Sequence, residues 1–408
     1  DAGGNLINVD GDFRLTEIST YYHANKVRDY FHEHTGRTDL FQSGTFRLNV
    51  DVPQNCNATY GGHVINMFHE GGGCQATSLM SDVIYHEFGH GINFDWLSPF
   101  SNGALGEGYG DVWALIITEE PWLAQNWMGP GTEIRRYDID PKVYPQDLVG
   151  QVHADGEIIA GSWWDLYKEL GDDMPTMREI YIEACANNTA SFTTPQGQEG
   201  GMYGDILIDA LLADDDNGNL LDGTPHQTEI LTAFAIHGIT LLTGAEVEHE
   251  ERLSVGQNIP INIQVDIITN FPEYLGDSEV FYSTDDGNTW NSETLSLSFG
   301  NTYTATLPGQ PSGTLVDYYV EVKDINDFVA FTLPGGANES VNPNIPFTTL
   351  VEYERQELDD FFDNNFGVGD WETDPDGTDQ ATTGIWEVAA LSTATVAQPG
   401  DDFSPSDD

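Results

Sequence analysis

Residues 86–90 read His86-Glu87-Phe88-Gly89-His90, inside a window of helical periodicity from Ser81 to Phe94. On a helix, positions four apart share one face, so both imidazoles can reach a single metal ion while Glu87 lies beside it to take a proton. Two ligands do not close a tetrahedral site, so the pattern obliges the chain to bring a third donor onto that face. The stretch Ala104-Leu105-Gly106-Glu107-Gly108-Tyr109-Gly110-Asp111 offers one: Glu107, seventeen positions after His90, on a helix predicted from about Ala104 to Thr118. Small residues around Glu107 let two helices come close enough to share an ion. Asp111, one helical turn further on, is placed to accept the second N–H of a ligating His. His86, His90 and Glu107 would leave a fourth position open, as catalytic rather than structural zinc sites do. The plain alternative is that Glu107 and Asp111 are solvated helix carboxylates.

With these residues in view, the chain resembles the zinc metallopeptidases whose third ligand is Glu, the thermolysin-like gluzincins, and within them it is most similar to the fungalysin group. The similarity spans roughly residues 15–240 and rests on more than HEFGH and GEGYGD. Asn57-Ala58-Thr59-Tyr60 is similar to the family's edge segment, which implies that Asn57, Ala58 and Tyr60 hold the backbone of an extended substrate. Val152-His153-Ala154-Asp155-Gly156-Glu157 resembles the VHxxGE segment that opens a later helix in the family, which implies that His153 stabilises the tetrahedral oxyanion. The resemblance implies a secreted zinc endopeptidase with Glu87 as general base and acid. Against the thermolysin pattern, the interval between His90 and Glu107 is short and holds Phe94, Trp96 and Phe100 but no Tyr. A second oxyanion donor is therefore open between Tyr109, Tyr60 and none, and Asp147 is a candidate to orient His153.

The 408 residues exceed the usual size of one domain. The expected fold class is α+β: a two-lobed zincin-type domain over 1–242, mixed α/β first and mostly helical later. An immunoglobulin-like or fibronectin-type β-sandwich is expected over 243–350, because Ile259, Ile261, Ile263, Val265 and Ile267 alternate with polar residues, as do Val316, Tyr318, Val320 and Val322. Residues 351–408, with Trp371 and Trp386, read as the start of an incomplete β-rich domain. Trp290 reads as a sandwich-core residue, Trp163 and Trp164 as core or pocket wall, and the opening helix, Glu17 to His34, as capped by Thr16.

Thirteen Lys and Arg against 68 Asp and Glu give a net charge of −55. Nucleic-acid and anionic-membrane partners are disfavoured, since both require a cationic face, and no apolar run is long enough for membrane insertion. The acidic excess fits a secreted protein in salty or calcium-containing water. Of three cysteines, Cys56 and Cys74 flank a predicted strand pair and are the favoured disulfide, with two buried free thiols as the alternative. Asp214, Asp216 and Asp222 around Gly218 imitate half of a calcium loop, although Pro225 stands where an EF-hand has its Glu. An acidic helix-to-helix turn is the alternative. Two further readings stay open: an aminopeptidase, for which no amine-binding motif is visible, and an adhesive protein whose accessory domains bind matrix or cell surface.

Overall fold

The computed structural model describes residues 14–38, 46–269, 271–341 and 343–352. The expected third domain, with Trp371 and Trp386, lies outside the described residues.

The fold is mixed α/β. Helix α1, Leu15–Thr35, buries Thr20, Ala24, Val27 and Phe31, a stripe at three- and four-residue intervals. Its N-cap is Arg14 rather than Thr16: the Arg14 N–H donates to Glu17 at 3.0 Å, while Thr16 bonds Asp51 instead. Gly36 ends the helix in the left-handed region, φ 66°, and its N–H returns to the His32 carbonyl. Strands β1 (Arg47–Val52), β2 (Ala58–Gly61) and β3 (Val64–Phe68) follow as a sheet of order β1-β3-β2. β3 runs parallel to β1 and antiparallel to β2.

Two helices carry the motif residues: α2, Ser81–Trp96, and α3, Gly103–Thr118. α3 is buried along nearly its whole length, because it lies between α2 on one side and α4, Val152–Glu169, on the other. An all-round apolar helix of this kind is stable only in such a central place. Before α4 comes a ribbon of β4 (Trp122–Leu123) and β5 (Arg135–Arg136). Helices α5 (Met174–Ala186), α6 (Gly200–Asp214) and α7 (Gln227–Ile236) complete the helical part. An aromatic chain knits the helices together: Trp113 meets Phe31 and Tyr181 edge-on at 5.7 and 5.6 Å, and Trp163 meets Tyr181 and Phe234 at 5.0 and 5.4 Å. Trp163 and Trp164 are accordingly core residues.

Residues 246–351 form two sheets. One has the order β11-β12-β8-β6, from β6 (Glu246–His249), β8 (Ile261–Ile268), β11 (Ser296–Phe299) and β12 (Thr302–Leu307). The other has the order β10-β9-β13-β15-β7, from β7 (Ser254–Val255), β9 (Glu279–Ser283), β10 (Asn291–Thr294), β13 (Leu315–Lys323) and β15 (Phe347–Val351), with β14 (Val329–Leu333) also paired to β13. Ile261, Ile263, Val265 and Ile267 are buried on one face of β8, and Val316, Tyr318, Val320 and Val322 on one face of β13, as period-2 alternation requires. Trp290 departs from expectation. It is 36% exposed and packs edge-on against Tyr319, a residue on the β13 face opposite Tyr318 and Val320, because it precedes β10 by one residue and never enters the buried alternation. No helix of the described residues is long and apolar enough to cross a membrane.

Cys56 and Cys74 are joined, with Cα atoms 5.2 Å apart, closing the loop that contains β2 and β3. Replacing both by Ser should cost about 3 kcal/mol in chemical denaturation, the entropy of a loop of this length. It should also loosen β2, which would appear as faster amide exchange at 58–61 than at 64–68.

Candidate metal centre

α2 and α3 meet where neither carries a side chain. A Cβ on Gly110 would lie 2.8 Å from His86 Nδ1, and one on Gly89 3.2 Å from the Gly110 Cα. α3 and α4 meet in the same way: a Cβ on Gly108 would lie 2.6 Å from the Gly156 carbonyl. These contacts bring three helices around one point. His86, His90 and Glu107 each present a ligand atom there, all within 4.8 Å of one another, and they form the one group of this kind among the described residues. His86 Nε2 is 3.2 Å and His90 Nε2 3.7 Å from the Glu107 carboxylate.

The donor set fits a zinc ion: two imidazoles and one carboxylate, with a fourth position left for water or substrate. The structure adds a second argument. The Glu87 Oε2 is buried with no hydrogen-bond donor aligned on it, an expensive arrangement unless a cation or a bound water satisfies it.

The Asp111 and Glu107 carboxylates dominate the electrostatics of the group. Burial alone would lower the His86 pKa, but the Asp111 and Glu107 carboxylates outweigh it and raise the value to about 10. Burial and the neighbouring His86 charge lower His90 to about 4. Glu107 is held at about 2: burial opposes ionisation, and the hydrogen bond and charge of His86 overcome it. Glu87 is pushed up to about 7, chiefly by burial. His86 would have to give up a proton to hold a zinc ion, since only the neutral imidazole ligates. About one proton should leave per zinc bound at pH 7, read by calorimetry in buffers of different ionisation enthalpy, and affinity should fall as pH is lowered. No proton release would mean that His86 is already neutral in the free site.

Asp111 is buried and accepts four bonds. His86 Nδ1 donates to its Oδ1 at 2.5 Å, Arg135 donates through Nε and Nη2 at 2.5 and 2.7 Å, and the Tyr137 hydroxyl donates to Oδ2. Burial opposes ionisation, yet Arg135 and His86 hold the carboxyl well below the usual carboxylate range. Holding Nδ1–H fixes the His86 ring with Nε2 turned to the cluster. Arg135 and Tyr137 escaped the reading of the sequence. Their one available signal was Arg135 itself, a rare cation in so acidic a chain.

β2 pairs with β3 alone among the described residues, leaving its other edge to an extended chain. Ala58 is buried, the Asn57 carbonyl accepts from Thr77 Oγ1 at 3.2 Å, and the Tyr60 ring lies over Gly91 with its centroid 6.3 Å from that of His90. The edge thus runs beside the cluster. Tyr109 does not face the cluster: it is buried against Tyr181 and Phe192, which removes it as an oxyanion donor.

His153 begins α4, half-exposed, with Nε2 3.4 Å from Glu107 Oε2. Burial lowers its pKa below the ordinary imidazole value. α4 starts at Val152, and this is what brings His153 to the cluster on helical backbone. Asp147 does not orient it, because its Oδ2 accepts the Val143 N–H at 2.7 Å.

The structure does not assemble Asp214, Asp216 and Asp222 into a cation site. Asp214 is filled by donors from the following turn, Thr224 Oγ1 at 2.7 Å and the His226 N–H at 2.6 Å, with His226 Nδ1 at 2.7 Å. Asp222 accepts from Asn217 at 3.3 Å and Asp216 faces outward. The turn's own donors thus occupy Asp214 and Asp222.

Residues 6–93 match the family model described as thermolysin metallopeptidase, catalytic domain. No curated protein matches the chain. The matched stretch holds His86, Glu87 and His90 and ends before Glu107, so Glu107, Asp111 and His153 stand on geometry. The match and the His86, His90 and Glu107 group support a thermolysin-like zinc metallopeptidase, for which a protein or peptide is the substrate.

Proposed function

We propose that the chain is a secreted zinc endopeptidase of the fungalysin-like branch, in which Glu87 is general base and acid and His153 the oxyanion donor. The observation that carries this reading is the meeting of His86, His90 and Glu107 beside a buried Glu87 whose Oε2 has no partner. His86, His90 and Glu107 would hold the ion. When bound, zinc supplies a Lewis acid that polarises the scissile carbonyl and makes water a stronger acid. Glu87, raised by burial into the range where a carboxylate both accepts and returns a proton near neutrality, takes the proton of the attacking water and passes it to the leaving amine. The His153 Nε2–H donates to the oxygen on which charge develops. β2 receives the substrate backbone along its open edge, through Asn57, Ala58 and Tyr60. An open-ended strand edge favours cleavage within a chain over removal of a terminal residue. The sheets of 246–351, taken as an immunoglobulin-like sandwich, are the part that would meet matrix or cell surface.

The test is metal content by mass spectrometry together with casein hydrolysis, with and without 1,10-phenanthroline. About one zinc per chain and hydrolysis lost to the chelator are expected, and N-terminally blocked peptides should be cut as well as free ones. Rejection of blocked peptides would make it an aminopeptidase. Zinc without hydrolysis would move the working part to the sheets of 246–351.

A further inference from the structure

His153 sits in a hydrogen-bond arrangement that decides which of its nitrogens carries the proton. Gln151 is the N-cap of α4, and its Oε1 accepts the Ala154 N–H at 2.7 Å. That bond fixes which way the amide faces, because a flipped Gln would set its NH2 against the Ala154 N–H, donor to donor. The Gln151 Nε2 consequently points at His153 Nδ1, 2.7 Å away. An NH2 group can only donate. Nδ1 must therefore be the nitrogen with the lone pair, and the proton of the neutral ring stands on Nε2, which faces Glu107 at 3.4 Å.

We infer that Gln151 is a positioning residue that locks His153 as the neutral Nε2–H tautomer, so that His153 reaches the reaction centre as a fixed N–H donor. A carboxylate in the same place would draw a proton onto Nδ1, so that Nε2 kept its N–H only in the charged ring. The neutral amide instead ties the direction of the donor to the first turn of α4. The inference rests on the peptidase reading for what the donor does; the tautomer itself does not depend on it.

The experiment uses the full chain, histidine-labelled with 15N, in wild-type, Gln151→Ser and Gln151→Glu forms, with His153→Asn to assign the signal. In wild type, Nδ1 should show the shift of an unprotonated nitrogen and Nε2 that of a protonated one. Gln151→Glu keeps the cap and reach and should protonate Nδ1. Gln151→Ser keeps a strong N-cap but cannot reach the ring. It should melt within a few degrees of wild type, retain its KM and lose kcat by about tenfold to a hundredfold, as a misaimed donor does. A wild-type Nδ1–H signature, or Gln151→Ser with unchanged kcat, overturns the inference. Inactivity of the zinc-loaded wild type instead overturns the peptidase reading, and the tautomer is still read from the spectrum.

Discussion

Glu87→Gln should bind zinc as wild type does and hydrolyse peptides about a thousandfold more slowly, within the range that a positioned acid–base group contributes. Metal binding survives because Glu87 is not one of the three residues that converge as ligands. Turnover fails because an amide of the same shape cannot take a proton from water or return one to an amine. The variant also carries its own folding control. Glu87 is buried with Oε2 unpartnered and its pKa raised from 4.5 to about 7, so in the zinc-free protein the unfolded chain loses this proton more readily than the folded one. The resulting loss of stability grows as pH rises from about 4.5 to about 7 and is constant above. The Gln variant lacks that loss. It should therefore melt at or above the wild-type temperature at pH 7 without zinc, so that lost activity cannot be assigned to unfolding. Hydrolysis by Glu87→Gln at more than about a tenth of the wild-type rate would remove Glu87 from the mechanism.

The legible part of this molecule is the part whose chemistry is encoded along single helices. HEFGH puts His86 and His90 on one face of α2 with Glu87 beside them, and Glu107 and Asp111 share a face of α3 by the same period. Gly89, Gly108 and Gly110 announce the close helix approach that joins them. What stayed hidden comes from loops and helix starts. Arg135 and Tyr137 arrive on the short ribbon strand β5 and just past it, with no periodicity to connect them to Asp111. Gln151 carries no charge to single it out beside His153, and its place is set by where α4 begins. The acidic loop at 214–223 is a related case. Spacing shows which oxygens a turn contains, but not that Thr224 and His226 fold back to occupy Asp214 first. In the sheets, alternation located the buried faces of β8 and β13, except that Ile259 lies before β8 and is exposed, and it had no hold on Trp290, which stands outside any strand.

Asp111→Ala should be the most damaging single substitution outside the ligands, costing about 3–5 kcal/mol of stability and lowering zinc affinity about ten- to a hundredfold. The first effect comes from Arg135. That guanidinium is buried, and its ion pair among the described residues is with Asp111, so removing the carboxylate leaves a charge in the interior without its partner. The second comes from His86, whose Nδ1–H loses the acceptor that turns Nε2 toward the ion. The two are separable. Asp111→Ala combined with Arg135→Leu removes both charges of the pair, and well-packed apolar replacements of buried ion pairs are often neutral in stability. The double variant should thus recover most of the lost stability in chemical denaturation. It should recover none of the lost zinc affinity, because the His86 ring is still unanchored. If zinc affinity returns together with stability, Asp111 serves the ion only by keeping the helices folded, and its bond to His86 has no role of its own in holding the metal.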